Sequence, residues 1–323
     1  MHPIQNRRHI RKLLYPMLFL SMLMSLTLAN PALDQSHLDP FVFISTSDGK
    51  DAILIREGGK NQTVFQCNNE SEMILTPGIN IDKKSISFVV ENGTGVRAVH
   101  LLILNQSSGT EWTFQDTILA SVKGGAWPTN DLAGNMYLSM KDPRSVDYST
   151  ATDIYQLNGL QLTRLSTNSG EDRHLWPLLA PEGDKLHFRV FQGSTDVNTP
   201  KVKQSIIYVF ESHSRALHLV GQNVFVEQWP STDKLLYSHR LEADSRIRVY
   251  YLYDINSHKS TELYRGMSWQ AQLSSDGRYF ATLQNFPQGS AQFDVFITDL
   301  NSGETLNMTN SPLQSESLIG WLK

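Results

Sequence analysis

From residue 41 onward, apolar and polar positions alternate in short runs. FVFIST (41–46), DAILIRE (51–57) and QTVFQC (62–67) are separated by Ser47-Asp48-Gly49 and Gly58-Gly59. Runs of this length, rich in Val, Ile, Phe and Thr and bounded by Gly, Asn, Asp and Ser, predict antiparallel strands joined by tight turns. An amphipathic helix needs apolar residues at i, i+3, i+4 and i+7, and no convincing example follows residue 30. The predicted class is all-β.

The pattern repeats at a larger period. Thr76-Pro77 opens TPGINIDKKSISF, Trp127-Pro128 opens WPTNDLAGNMYL, Trp176-Pro177 opens WPLLAPEGDKLHF, Trp229-Pro230 opens WPSTDKLLYSH, and Trp269 opens WQAQLSSDGRYF. Each is a short strand, a turn and a second apolar strand. Gly134 and Gly183 fall seven residues after their tryptophans and Gly277 eight, where hairpin turns demand positive φ. A second half follows each opener, as in RVYYLYDINSHKSTELYRG and FDVFITDLNSGETLNMTNSP, again strand, polar turn, strand. Successive openers lie 51, 49, 53 and 40 residues apart, and Trp321 follows Trp269 by 52. Four-strand units at a period of about 40 to 50 residues predict the blades of a β-propeller.

FDVFITDLNSGETLNMTNSP, WPLLAPEGDKLHF and QLSSDGRYFATL resemble the repeats of the TolB-like six-bladed β-propeller family: apolar strand, Asp-Leu, Gly turn, Leu-Thr, then Trp-Ser-Pro-Asp-Gly and another strand. The resemblance covers nearly all of residues 41–323 and is sharpest over 171–190 and 269–312. It implies six four-stranded blades without the amino-terminal α/β domain that the family places before its propeller. SLIGWLK (317–323) then reads as the innermost strand of a blade whose other three strands are those of residues 41–67, closing the ring.

The amino terminus carries an address. Arg7, Arg8, Arg11 and Lys12 precede a 16-residue apolar run over 13–28, and Thr27-Leu28-Ala29 offers small residues for a signal peptidase. A bilayer core of about 30 Å needs nearer 20 apolar residues, so cleavage after Ala29 is expected rather than a retained anchor. Residues 1–29 are predicted as a signal peptide, 30–40 as a lead segment and 41–323 as the propeller. Losing 1–29 removes four of 28 basic residues and none of the 32 acidic ones, leaving a net charge near −8. That disfavours nucleic acid or an anionic membrane surface as the main partner. Cys67 is the one cysteine, so no intrachain disulfide can form, and its place ending VFQC predicts a buried, idle thiol.

The sequence holds no Gly-x-Ser-x-Gly elbow, His-Glu-x-x-His or Cys-x-x-Cys motif. Any site must therefore be assembled from distant strands. His174 and Glu227 each lie two residues before an opener tryptophan, which would bring an imidazole and a carboxylate together at the channel mouth. Asp172 and Arg173 share that connection, and His239-Arg240 follow the strand LLYS. These six are the candidate binding residues, with ordinary solvated loops as the alternative. Asp276-Gly277 and Ser47-Asp48-Gly49 are read as hairpin turns rather than sialidase-type boxes, and the tryptophans as packing between blades. No catalytic residue, metal or cofactor is assigned.

The expected function is an exported, non-enzymatic binding or scaffold protein of the bacterial cell envelope, periplasmic or secreted. Its propeller-face loops would meet a protein or small envelope ligand. The alternative is a glycan-active lyase or hydrolase at the channel mouth. The resemblance implies partnership with the peptidoglycan-associated lipoprotein, but none of that partner's contact residues can be matched here. Neither nucleic-acid binding nor stable membrane insertion is expected, and the chain is read as monomeric.

Overall fold

The computed structural model describes residues 35, 38–93, 96–106, 111–123, 127–141, 151–159, 161–167, 172–191, 202–209, 214–216, 224–241, 247–285, 292–311 and 314–322. The signal peptide expected over 1–29 lies outside them. No helix among the described residues is long and apolar enough to cross a membrane.

The chain begins with β1 (Phe41–Ser47), β2 (Lys50–Glu57) and β3 (Lys60–Gln66). Next come β4 (Met73–Ile79), β5 (Ser85–Glu91), β6 (Val96–Gln106) and β7 (Trp112–Lys123), then β8 (Thr129–Asn130), β9 (Met136–Met140), β10 (Asp153–Asn158) and β11 (Gln161–Arg164). Then follow β12 (Arg173–Leu179), β13 (Lys185–Phe191), β14 (Val202–Val209) and β15 (Ser214–Ala216). The last full set of eight is β16 (Phe225–Ser231), β17 (Lys234–Arg240), β18 (Ile247–Asp254), β19 (Lys259–Met267), β20 (Ala271–Leu273), β21 (Tyr279–Asn285), β22 (Phe293–Asp299) and β23 (Thr305–Asn307). The chain ends on β24 (Ser315–Trp321). Among the described residues the strands form four-stranded antiparallel sheets in a propeller arrangement: β4 to β7, β8 to β11, β12 to β15, β16 to β19, β20 to β23, and β24-β1-β2-β3.

Burial falls from the second strand of each sheet outward. SISFVV of β5, MYLSM of β9 and LHFRVF of β13 are buried on both faces, because the strand lies between two neighbouring sheets; β11 is exposed throughout. The cores therefore sit between sheets. Ile53 and Val64 join Ile86 and Phe88, Val89 and Val99 join Met136 and Leu138, and Leu236 and Tyr250 join Ala271 and Phe280. Cys67 belongs to the first of these cores, and burial, followed by the charges of Asp51 and Glu72, pushes its thiol up to about 11.

The turns use the chemistry expected of them. Gly134, Gly183 and Gly277 have φ of 83°, 71° and 72°, where any side chain would be strained. In the Asp276-Gly277 turn, Asp276 accepts from the Ser274 hydroxyl at 2.6 Å and the Arg278 amide at 3.0 Å, a hairpin role.

The closing strand starts at Ser315, two residues earlier than expected. β24 pairs antiparallel with β1, from Thr46 opposite Ser315 to Phe41 opposite Trp321. Trp321, 1 % exposed, packs on Phe41 at 5.7 Å between ring centres.

Candidate ligand-binding site

The strands that open each sheet surround a cavity of about 620 Å³. Its wall is distorted where the sequence placed its openers. Thr76, Trp127 and Trp176 have φ of 51°, 51° and 56°, and each precedes a proline. In β4 the ladder to β5 skips from Leu75 to Gly78, and in β12 the ladder to β13 skips from Leu175 to Leu178. Bulges re-aim side chains, and positive φ at a non-glycine residue costs on the order of 1–3 kcal/mol. The same strain recurs in consecutive inner strands.

The tryptophans divide into two groups. Trp229 and Trp321 reach the cavity wall but are buried, at 6 % and 1 % exposure, as packing residues are. Trp127 and Trp176 meet edge to face at 5.3 Å, are only partly buried, and line the cavity; Trp269 lines it at 38 % exposure. Inter-blade packing, expected for the whole set, therefore accounts for only part of it. Glutamine side chains stitch the wall together. Gln228 donates to the Leu273 carbonyl (3.0 Å) and accepts from its amide (2.7 Å), while Gln270 accepts from the Leu318 amide at 3.0 Å.

The charges on the wall are unbalanced. Among the described residues, Lys83, Arg189, Arg248 and Glu227 are the charged ones lining the cavity, three cations against one carboxylate in a protein whose overall charge is −4. Arg189 and Arg248 are 6 % and 8 % exposed. The Arg189 guanidinium lies 4.5 Å from the Trp176 ring centre and 5.3 Å from that of Phe225, and Arg248 lies 4.9 Å from Phe225 on its own account. Arg189 Nη2 donates to the Val226 carbonyl, and its Nε is buried without an acceptor. Arg248 Nη1 donates to the Ser238 hydroxyl at 3.1 Å and reaches Glu227 Oε1 at 3.4 Å. Ser238 also donates to Glu227 Oε1, at 2.7 Å. Burial brings the Arg189 pKa down to about 10 against the pull of Glu227, and the charge of Arg248 adds to the depression. Beside Arg189 in the same strand, His187 is fully buried with neither ring nitrogen partnered, and burial followed by the Arg189 charge pushes it down to about 3.

Of the six candidates from the sequence, Glu227 alone lines the cavity. The expected meeting of His174 and Glu227 does not occur: no hydrogen bond or ion pair joins them. His174 is 6 % exposed and turned into a closed polar cluster, its Nδ1 lying 2.6 Å from Ser166 Oγ and 3.1 Å from Asp153 Oδ1. Arg164 also bonds Asp153, and the His174 carbonyl accepts from Ser139 at 2.5 Å and Thr152 at 3.1 Å. Burial raises the Asp153 pKa, but hydrogen bonds from His174 and Arg164 outweigh it and hold the carboxyl below its ordinary value. Serine and aspartate share one ring nitrogen, whereas a serine nucleophile relay uses both; this cluster is architectural. Asp172 and Arg173 enter β12 half-buried, His239 stacks on Tyr251 at 5.3 Å, and Arg240 is exposed at the end of β17. None of these four lines the cavity.

Arg189 and Arg248 are not among the residues expected from the sequence. Their signal was a charge inside an apolar run, HFRVF and IRVYY. In a doubly buried strand such a charge needs a reason.

No family model matches the chain, and no curated protein matches it in sequence. Solved structures do. TolB from Acinetobacter baumannii superposes with a TM-score of 0.62 at 18 % identity, covering 90 % of this chain and 67 % of that one. A TolB-type protein from Agrobacterium tumefaciens gives 0.50 at 10 % identity, covering 84 % and 88 %. An oligogalacturonate lyase in complex with manganese gives 0.48 at 8 % identity, covering 84 % of each chain. At these identities the likeness shows the fold, a TolB-like propeller.

Proposed function

We propose that this TolB-like propeller is a non-enzymatic binding module of the bacterial envelope, a closed ring of six blades over residues 41–323, exported by removal of residues 1–29. Its ligand, a segment of a protein partner, enters the central cavity. The observation that carries this reading is the strained aromatic wall: Trp127 and Trp176 are held at positive φ, half-buried, facing about 620 Å³ of open space. Strain of this kind persists where the surrounding structure holds it for a purpose, and concave sites lined by aromatic rings with few polar groups are ligand sites by default. The glycan-active alternative needed His174 and Glu227 to converge, and each is engaged in a separate network.

The test is capture from envelope extract by the parent protein and by a Trp127→Ala/Trp176→Ala variant of unchanged circular dichroism. One stoichiometric protein retained by the parent and lost by the variant is the expected result. Equal capture by both would move the site off the cavity. Turnover of an acidic glycan, or metal in the native protein, would favour the enzyme.

A further inference from the structure

We propose that Arg189 and Arg248 form a carboxylate-binding subsite in the cavity wall, so that the ligand entering it carries an acidic group beside an aromatic or apolar body. This deepens the binding reading and rests on it.

Two guanidinium groups, one on β13 and one on β18, converge on a single ring, Phe225, at 5.3 and 4.9 Å from its centre. Both are more than nine-tenths buried. Guanidinium groups brought this close out of water repel, and each needs an acceptor for its fork of donors. Among the described residues one carboxylate lines this wall, Glu227, which touches Arg248 at 3.4 Å and is otherwise satisfied by Ser238. The protein supplies Arg189 with one backbone carbonyl, that of Val226, and leaves Nε without an acceptor. The pair therefore retains one uncompensated positive charge and unused donors at the wall of an open cavity. Lys83, on the same wall, adds to the positive field.

A second carboxylate answers both deficits. It would neutralise the residual charge and accept from guanidinium forks whose planar geometry matches it. Trp176, under Arg189 at 4.5 Å, holds that group in place and offers the ligand's body an apolar face. His187, two residues before Arg189 in β13, is buried there and, as an imidazole, supplies no negative charge to answer the guanidinium groups.

The test uses three probes titrated calorimetrically into the full chain. N-acetyl-tryptophan presents a terminal carboxylate, N-acetyl-glutamyl-tryptophanamide a side-chain carboxylate, and N-acetyl-tryptophanamide none. One or both acids should bind about tenfold or more tighter than the amide, and which one binds identifies the source of the carboxylate. Binding should weaken as salt rises.

Arg189→Met is at risk of misfolding, so the proposal is carried by two milder variants. Arg248→Gln should lose the acid-over-amide preference, and Glu227→Gln, which removes the competing internal carboxylate, should strengthen it several-fold. Equal binding of acid and amide, binding of neither acid at millimolar concentration, or weaker acid binding by Glu227→Gln would overturn the subsite. If Arg248→Gln captures the envelope partner as well as the parent does, the subsite fails while the cavity reading stands. If the double tryptophan variant captures it as well as the parent, the cavity reading fails first.

Discussion

The molecule contains two buried polar centres of similar composition, and they differ in how their charges close. Around Asp153, one carboxylate meets Arg164, His174 and Ser166, and the His174 carbonyl is itself doubly occupied. Around Phe225, two guanidinium groups meet one carboxylate and face open space. Chemical identity alone does not distinguish them, since each holds an acid, an arginine and a serine. The accounting of donors and charge does. A closed centre fixes two sheets together, whereas an open one is left with capacity for a ligand.

The strongest intervention removes the frame shared by both centres. Trp321, Leu318 and Ile319 of the closing strand are all buried, and burial of such side chains is worth about 1.5–3 kcal/mol each, together comparable with a whole domain's stability of about 5–15 kcal/mol. Truncation before residue 317 should therefore abolish cooperative thermal unfolding; an unchanged melting curve would show that the strand does not close the fold.

Asp153→Ala separates the two centres. It strands Arg164, His174 and Ser166, and should cost about 3–5 kcal/mol, the usual penalty for breaking a buried charged pair, measured by urea denaturation. Because the folded pKa of Asp153 lies below its unfolded value, this contribution is present above the carboxylate range and is lost as pH falls through it. Carboxylate binding by the folded fraction should not change.

A third buried acid supplies the opposite case. Glu316, on the closing strand, is 2 % exposed, and burial, joined by the hydrogen bond and charge of Asp294, pushes its carboxyl up to about 7 against the opposing pull of Ser311 and Ser45. A carboxyl raised in the folded state stabilises fully below its unfolded value near 4.5, and the benefit is lost as pH rises through about 7, by on the order of 3 kcal/mol. Glu316→Gln should thus raise the melting temperature at pH 8 and leave it nearly unchanged at pH 4.5. Comparing variant with parent at each pH cancels the contribution of His187, which runs in the other direction. The smallest effect is expected of Glu227→Gln, whose amide still accepts from Ser238 and Arg248. It keeps the acceptor oxygen but removes a charge beside buried Arg248, so it should cost about 1–3 kcal/mol by urea denaturation, and a loss as large as that of Asp153→Ala would reveal that the Phe225 centre is as closed as the Asp153 one.

The scaffold was legible because backbone demands repeat. Turn glycines at 134, 183 and 277, the openers from Thr76 to Trp321, and the three strands left over at the start of the propeller are imposed by sheet geometry wherever they occur. The site was less legible because it depends on which strands become neighbours. Glu227 was found through its offset from Trp229, yet the same reasoning led to His174, whose side chain turns towards Asp153 instead of the cavity. An offset from an opener gives a position along the strand, and a bulge changes the face it presents. Arg189 and Arg248 lie in strands that read as core, about sixty residues apart in sequence, and only the packing of one sheet on the next brings them to one phenylalanine.

The pairing of β24 with β1 also sets an order of events. Phe41 and Trp321 are 280 positions apart, so the contact that completes the first sheet forms only after every strand between them has been made. Intermediate chains carry an unpaired inner edge on β1, and a contact of this sequence separation is slow to close. Refolding from urea is accordingly expected to be limited by a late step that responds to substitutions in β24 and hardly at all to those in β9.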